Sequence, residues 1–266
     1  MARAKSLWRV RRDVQIVGYD TGVPEGDPAL LLASDGSIER EILTPRTDLA
    51  LTLDERRCAG TIDRSGDDPR HLSCDAPDAP YCPEHTDRWP CARCTGQCDL
   101  PLESCREEHA VYLAAFAPAT FKIGVTRSWR LDTRLREQGA DRAAHLRTVE
   151  DGRVARQIEA EIAADVGDRV RVPAKIDGLH RSVDGDAWGD LLVGFDPIET
   201  CSFEYGLDLS ERPVAETMAT GTVRGVQGRV LVLDRNGSAY AVDMRDLDGY
   251  EVSRGATTRQ LQSSLG

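Results

Sequence analysis

Residues 110–125 read AVYLAAFAPATFKIGV, two apolar runs broken by Ala117-Pro118-Ala119. Val111 to Phe116 and Phe121 to Val125 are strand candidates. Downstream, Leu131 to Gln138 fits a short helix, with Gly139 as its C-terminal cap. Ala144 to Val149 is a third strand candidate. From Val154 the apolar residues Val154, Ala155, Ile158, Ile162 and Val166 recur at helical spacing and share a face. Strand, strand, helix, strand, helix predicts a compact α/β unit over 110–166.

The flanks differ from this unit. Residues 1–55 read as short strands, with Leu7 to Tyr19 and Ala29 to Ala33 followed by a Ser34-Asp35-Gly36 turn into Ile38 to Leu43. Residues 56–109 hold seven of the eight cysteines and three of the five histidines, with little periodicity. Residues 167–266 return to strands and end in a polar tail. Within them Gly221 to Leu233 and Ala239 to Met244 flank Asn236-Gly237, a tight hairpin turn. Gly221, Gly225 and Gly228 have the wrong spacing for a dinucleotide-binding loop and are expected at turns and bulges. The expected fold class is α+β: β-rich N- and C-terminal regions around a cysteine-rich segment and a small α/β unit.

Charge narrows the setting. The formal net charge is −11, built from 28 Asp and 17 Glu against 31 Arg and only three Lys. Such an Asp-rich, Lys-poor surface stays hydrated in strong salt, and the composition reads as halophilic, the alternative being an ordinary acidic protein from a high-GC genome, which also favours Arg over Lys. No run approaches the roughly 18 apolar residues of a membrane span. Arg9, Arg11, Arg12 and Asp13 interrupt the N-terminus before a signal-peptide core can form. A cytoplasmic protein without membrane contact is expected, so its cysteines need an explanation compatible with reducing conditions.

That explanation is metal. Cys82-x-x-His85 and Cys91-x-x-Cys94 let one turn bring two ligands about a tetrahedral edge apart, as Zn²⁺ requires. The favoured partition gives one ion to Cys58, Cys74, Cys82 and His85. A second takes Cys91, Cys94, Cys98 and either Cys105 or His109. Both ions are read as structural. Disulfides and an iron–sulfur cluster are the competing uses of the thiols, and a catalytic zinc with an open position is the competing use of the metal. Cys201, outside the window, is expected to be buried as a small apolar side chain.

Val111-Tyr112-Leu113, Lys122-Ile123-Gly124, Arg134 and Glu159 together resemble the GIY-YIG endonuclease superfamily in a divergent form. The first two triplets stand where that family has its two tripeptides. A wider set resembles an uncharacterised prokaryotic family, domain of unknown function 2797. It includes His109-x-x-Tyr112-Leu113, Lys122 to Arg127, Glu137-Gln138-Gly139-Ala140, Ala155-x-x-Ile158-Glu159, Gly225-x-x-Gly228 and Gly249-Tyr250.

The nuclease resemblance implies a pocket in which Tyr112 orients or deprotonates water, Arg134 clamps phosphate and Glu159 carries Mg²⁺. Periodicity does not choose between Glu159 and Glu161; only the resemblance does. Lys122 stands where the superfamily has a second Tyr, and an ammonium cannot reproduce a phenol's paired donor and acceptor roles. From Lys122 to Arg156, nine basic residues face five acidic ones, a local +4 that suits a nucleic-acid partner, DNA or RNA. Arg127, Arg130 and Arg136 are its candidate contacts, and Trp129 could stack on a base. The bland alternative is a helix face laced with Arg–carboxylate pairs, such as Arg134 with Glu137. Two functional classes follow: a zinc-stabilised nucleic-acid-binding protein with metal-dependent phosphodiester cleavage, or a non-catalytic module that docks a protein or RNA partner.

Overall fold

The computed structural model describes residues 14–86, 94–98 and 103–261. Its larger sheet has nine strands: β1 (Val14–Asp20), β2 (Ala29–Ser34), β3 (Ser37–Ile42), β4 (Asp48–Arg56), β11 (Val214–Ala215), β12 (Ala219–Gln227), β13 (Val230–Arg235), β14 (Ser238–Asp243) and β15 (Tyr250–Arg254). Their order is β11-β14-β13-β12-β4-β15-β1-β2-β3. The N- and C-terminal β regions therefore interleave, with β4 hydrogen-bonded between β12 and β15. All pairings are antiparallel except β11 with β14.

Both tight turns read from the sequence are present. Asp35-Gly36 and Asn236-Gly237 each place two successive residues at positive φ, which fits the twist of the strands they join. Alternating residues then face one side, where Ile16, Leu30, Leu51, Leu231, Leu233 and Tyr240 are sealed from solvent. The sheet curls so far that Tyr19 of β1 lies within electrostatic reach of Arg229 and Asp243 beside β13 and β14.

The second sheet has the order β10-β9-β7-β8, built from β7 (His109–Phe116), β8 (Thr120–Arg127), β9 (Arg142–Val149) and β10 (Glu199–Ser202). Helices α1 (Leu131–Gln138) and α2 (Gly152–Val166) follow in the expected order, with Gly139 left-handed at the end of α1. Strand β7 is buried on both sides. Val111, Leu113 and Ala115 pack with α2, whereas Tyr112, Ala114 and Phe116 pack with Leu135 of α1.

Residues 167–266 are not strands alone, as the sequence had suggested. They include α3 (Val172–Gly178) and α4 (Gly185–Val193). Pro173 opens α3, and the Asp184 carboxylate caps α4 by accepting from the amides of Asp186 and Ala187. Trp188 of α4 joins the core over β7 and β8, stacking obliquely on Phe121 with ring centres 5.7 Å apart. Helix α3 wedges between the two sheets, where Val172 and Ile176 meet Val230, Val232 and Ala241. Cys201 lies exposed on β10, not buried, because β10 is an edge strand.

The sheets are also joined through backbone. Gln227 Nε2 donates to Gly139 O and Asp141 Oδ1, both at 2.9 Å. Gly228, at φ +57°, lies so close that a Cβ there would stand 2.5 Å from the Gly139 nitrogen. Gly228→Ala is expected to lose about 1–3 kcal/mol to overpacking, measured by urea unfolding. Gly237→Ala, also at positive φ but in open space, isolates the conformational part and should lose only about 1 kcal/mol.

Candidate functional site

Two polar assemblies stand out. The first gathers Cys58, Cys74, Cys82 and His85, whose ligand atoms all lie within 4.8 Å of one another. His85 Nδ1 stands 3.5 Å from Cys58 Sγ and 3.2 Å from Cys82 Sγ, and the Cys74 and Cys82 sulfurs are 4.0 Å apart. A tetrahedron with metal–sulfur bonds of about 2.3 Å has edges of about 3.8 Å. The set therefore fits a metal ion, and the sulfurs are too far apart for a disulfide.

The backbone prepares this site. Amides of Gly60 and Cys82 donate to Cys58 Sγ at 3.4 and 3.3 Å. Burial pushes that thiol up, but those donors outweigh it and leave it below the usual thiol range. Gln15 donates to Cys58 O, Arg57 to Cys74 O, and Tyr81 to the Asp248 carboxylate, tying the cluster to the nine-stranded sheet. His71 is not a ligand; its Nε2 donates to Ala59 O at 2.8 Å.

Among the described residues this is the one such cluster. Cys94, Cys98, Cys105 and His109 do not close into a second one, and Cys91 lies outside the described residues. Locally, however, Cys94-Thr95-Gly96 repeats the geometry of Cys58-Ala59-Gly60. The Gly96 amide donates to Cys94 Sγ at 3.3 Å, and both glycines have positive φ.

The second assembly forms at β8. Tyr112 pairs with Gly124 across β7 and β8, and the phenol lies over the glycine, where a Cβ would meet its oxygen at 2.5 Å. Gln138 Nε2 donates to that oxygen at 2.6 Å. Lys122 shares this face through its pairing with Ala114. Arg134 approaches from α1 and Glu159 from α2, and both act electrostatically on Tyr112 and Lys122. Of the four residues singled out by the nuclease resemblance, Tyr112 and Lys122 thus each lie within electrostatic reach of Arg134 and Glu159.

Electrostatics divides their roles. Tyr112 is 1% exposed, and burial raises its pKa against the opposing Gln138 bond and Arg134 charge. The phenol stays protonated near neutrality. Burial lowers Lys122 to about 8, with Arg134 pushing the same way and Glu159 opposing. Glu159 Oε2 accepts from Arg156 at 2.6 Å, and Arg134 reaches Glu137 at 3.3 Å.

Arg127 and Arg130 flank the exposed Trp129, each 5.9 Å from its ring centre. They also pair with Glu107 and Glu137. Arg136 is engaged elsewhere, with Asp132 at 2.9 Å and over the Phe203 ring.

Lys175 was not foreseen. It donates to Gln138 O at 2.6 Å and sits over the Phe116 ring. Burial and then the charges of Lys122, Arg229 and Arg134 lower it to about 7. The scarcity of lysine, which drew attention to Lys122, applies equally to Lys175.

Two outcomes test this geometry. Gly124→Ala should expel the Tyr112 ring and destabilise the chain by about 1–3 kcal/mol, read from denaturant unfolding. Cys82→Ala should abolish one tightly held metal per chain, measured by elemental analysis after dialysis, whereas Cys201→Ala should leave the metal content unchanged.

A family model described as "Protein of unknown function (DUF2797)" matches residues 84–197. The matched stretch contains β7, β8, α1, β9, α2, α3 and α4 and lies outside the strands of the nine-stranded sheet. Searches of curated proteins and of solved structures each return no match. No helix among the described residues is long and apolar enough to cross a membrane. Over residues 84–197 the chain is similar to that uncharacterised family.

Proposed function

We propose that the chain is a zinc-stabilised, cytoplasmic nucleic-acid-binding protein with a divergent GIY-YIG-type core. The observation that carries this reading is that Tyr112, seated over Gly124, and Lys122 both lie within electrostatic reach of Arg134 and Glu159. An amine, a guanidinium and a carboxylate around a buried phenol suit a phosphodiester, whose charge needs a clamp and whose hydrolysis needs an activated water. The strand–strand–helix–strand–helix order of the unit supports the same reading.

Each side chain then has a role. Arg134 binds phosphate oxygens. Tyr112, kept protonated, donates rather than abstracts. Lys122, near neutrality in its titration, is the group suited to take a proton from water. Glu159, whose Oε2 accepts from Arg156, would hold Mg²⁺; the ion would supply charge neutralisation at the phosphate. Trp129 between Arg127 and Arg130 offers a flat, exposed face on which a base stacks.

Three thiolates and one imidazole favour zinc at the first metal site, and such a set belongs in a reducing compartment. The repeated Cys-x-Gly geometry at Cys94 favours a second ion there; its other ligands would be Cys91, Cys98 and Cys105 or His109, a set not drawn together among the described residues. The sealed Tyr112 favours the alternative of binding without cleavage, an RNA or protein interaction module on a degenerate core.

The test is incubation with labelled DNA and RNA in Mg²⁺ or Mn²⁺. Cleavage is expected to fall at least a hundredfold in Glu159→Ala and Lys122→Met, consistent with about 10²–10⁴-fold for a lost acid–base group. The wild-type rate should rise with pH and level above about 8 as Lys122 loses its proton. Cleavage that survives Glu159→Ala removes the nuclease assignment; binding without cleavage by the wild type identifies the degenerate form.

A further inference from the structure

Between the nine-stranded sheet and helices α1 and α3 lies a cleft of about 940 Å³. Six basic residues line it, Arg40, Arg64, Arg134, Arg171, Lys175 and Arg229, against three acidic ones. In a chain of net charge −11 this reverses the local sign. The three carboxylates are already engaged: Asp20 with Arg40 at 2.6 Å, Asp243 with Arg229 at 2.6 Å, and Glu137 with Arg130 and Arg134. Among the described residues no ion pair holds Arg64, Arg171 or Lys175, although each lines the cleft. An anionic ligand would complement this charge.

Apolar side chains line the same cleft. Leu31, Ile38 and Ile62 form a small cluster there, carried by β2, β3 and a two-stranded arm, β5 (Thr61–Asp63) with β6 (Arg70–Leu72). A ligand that satisfies both the cations and the apolar side chains has a negative group and a flat, weakly polar body. A nucleotide has both. Pockets for single ligands span about 300–1,000 Å³, so this cleft suits one or two nucleotides. A duplex keeps its base faces stacked inside and cannot offer them to Leu31, Ile38 and Ile62, whereas an unpaired strand can.

We propose that this cleft binds one or two nucleotides of single-stranded nucleic acid, with phosphate against Arg64, Arg171 and Lys175 and the base against Leu31, Ile38 and Ile62. The inference rests on the nucleic-acid reading above and adds the strand state and the path to Tyr112. Gln138 makes that connection: it lines the cleft, bonds the Tyr112 hydroxyl and accepts from Lys175. Arriving phosphate also decides the charge of Lys175. Facing it are Lys122 of β8, Arg134 of α1, Arg229 beside β13, Asp243 of β14 and Asp141 before β9. Burial first, and then the three cations among these five, bring the amine to about 7, so a bound anion favours its protonated form.

The experiment is fluorescence anisotropy with a labelled eight-nucleotide oligothymidine and with an eight-base-pair duplex, in the absence of added Mg²⁺. The single strand should bind at least tenfold more tightly than the duplex. Lys175→Met and Arg171→Ala should each weaken it about tenfold, and its affinity should fall between pH 6 and pH 9 in the wild type but not in Lys175→Met. Arg64 is exposed, so Arg64→Ala keeps the test decisive if Lys175→Met fails to fold. Arg259→Ala, paired with Glu216 away from the cleft, should change nothing. Loss of binding in Trp129→Ala with Lys175→Met and Arg64→Ala unaffected overturns the cleft and leaves the nucleic-acid reading standing. Competition by thymidine monophosphate as strong, per mole, as by the oligonucleotide overturns the strand and assigns a free nucleotide. Failure of the wild type to bind either probe overturns both readings.

Discussion

A hydroxyl with no access to water constrains the centre of this protein. Strand β7 is covered on both faces, so the Tyr112 oxygen must find its partner inside the fold. Gln138 supplies it, and this fixes the last turn of α1. The same residue's carbonyl then receives the Lys175 amine from α3. Gly124 makes the arrangement possible by leaving room for the ring. One buried bond thus connects the core of the smaller sheet to both helices that border the cleft.

The cysteine cluster acts on the same region from the other side. Cys58 and Cys74 bracket the β5–β6 arm, and Cys82 with His85 closes the set. That arm has little apolar surface of its own beyond Ile62, yet it carries Ile62 and Arg64 to the cleft wall. An ion at its base would hold two otherwise weakly organised strands in place. A metal ion at the cluster and a ligand in the cleft would both act on this one arm.

The legible parts of the sequence were those governed by local rules. Asp35-Gly36 and Asn236-Gly237 announced their turns because few residue pairs tolerate two positive φ values in succession. Cys82-x-x-His85 announced its place in the Cys/His cluster because ligand chemistry restricts both residue type and spacing. The order of elements between 110 and 166 followed from periodicity and one glycine cap. Helices α3 and α4 were missed because Pro173 and Gly178 in α3, and Gly185 and Gly189 in α4, are residues that ordinarily break a helical pattern. Lys175 and Gln138 were missed because their significance lies in contacts made across α1 and α3, which no spacing encodes. The insertion of β4 between β12 and β15 is likewise invisible to local pattern.

That insertion has a consequence for how the molecule is made. A ribosome delivers β1 to β4 well before it reaches β12, with the whole cysteine segment and smaller sheet emerging in between. Until then both flanks of β4 stay open, a backbone ladder ready to pair with a foreign chain. The intervening unit, rich in near-neighbour strand and helix contacts, is positioned to fold first and serve as a platform. Aggregation during synthesis, rather than instability of the finished protein, is where mutations in β12 or β15 would first be felt.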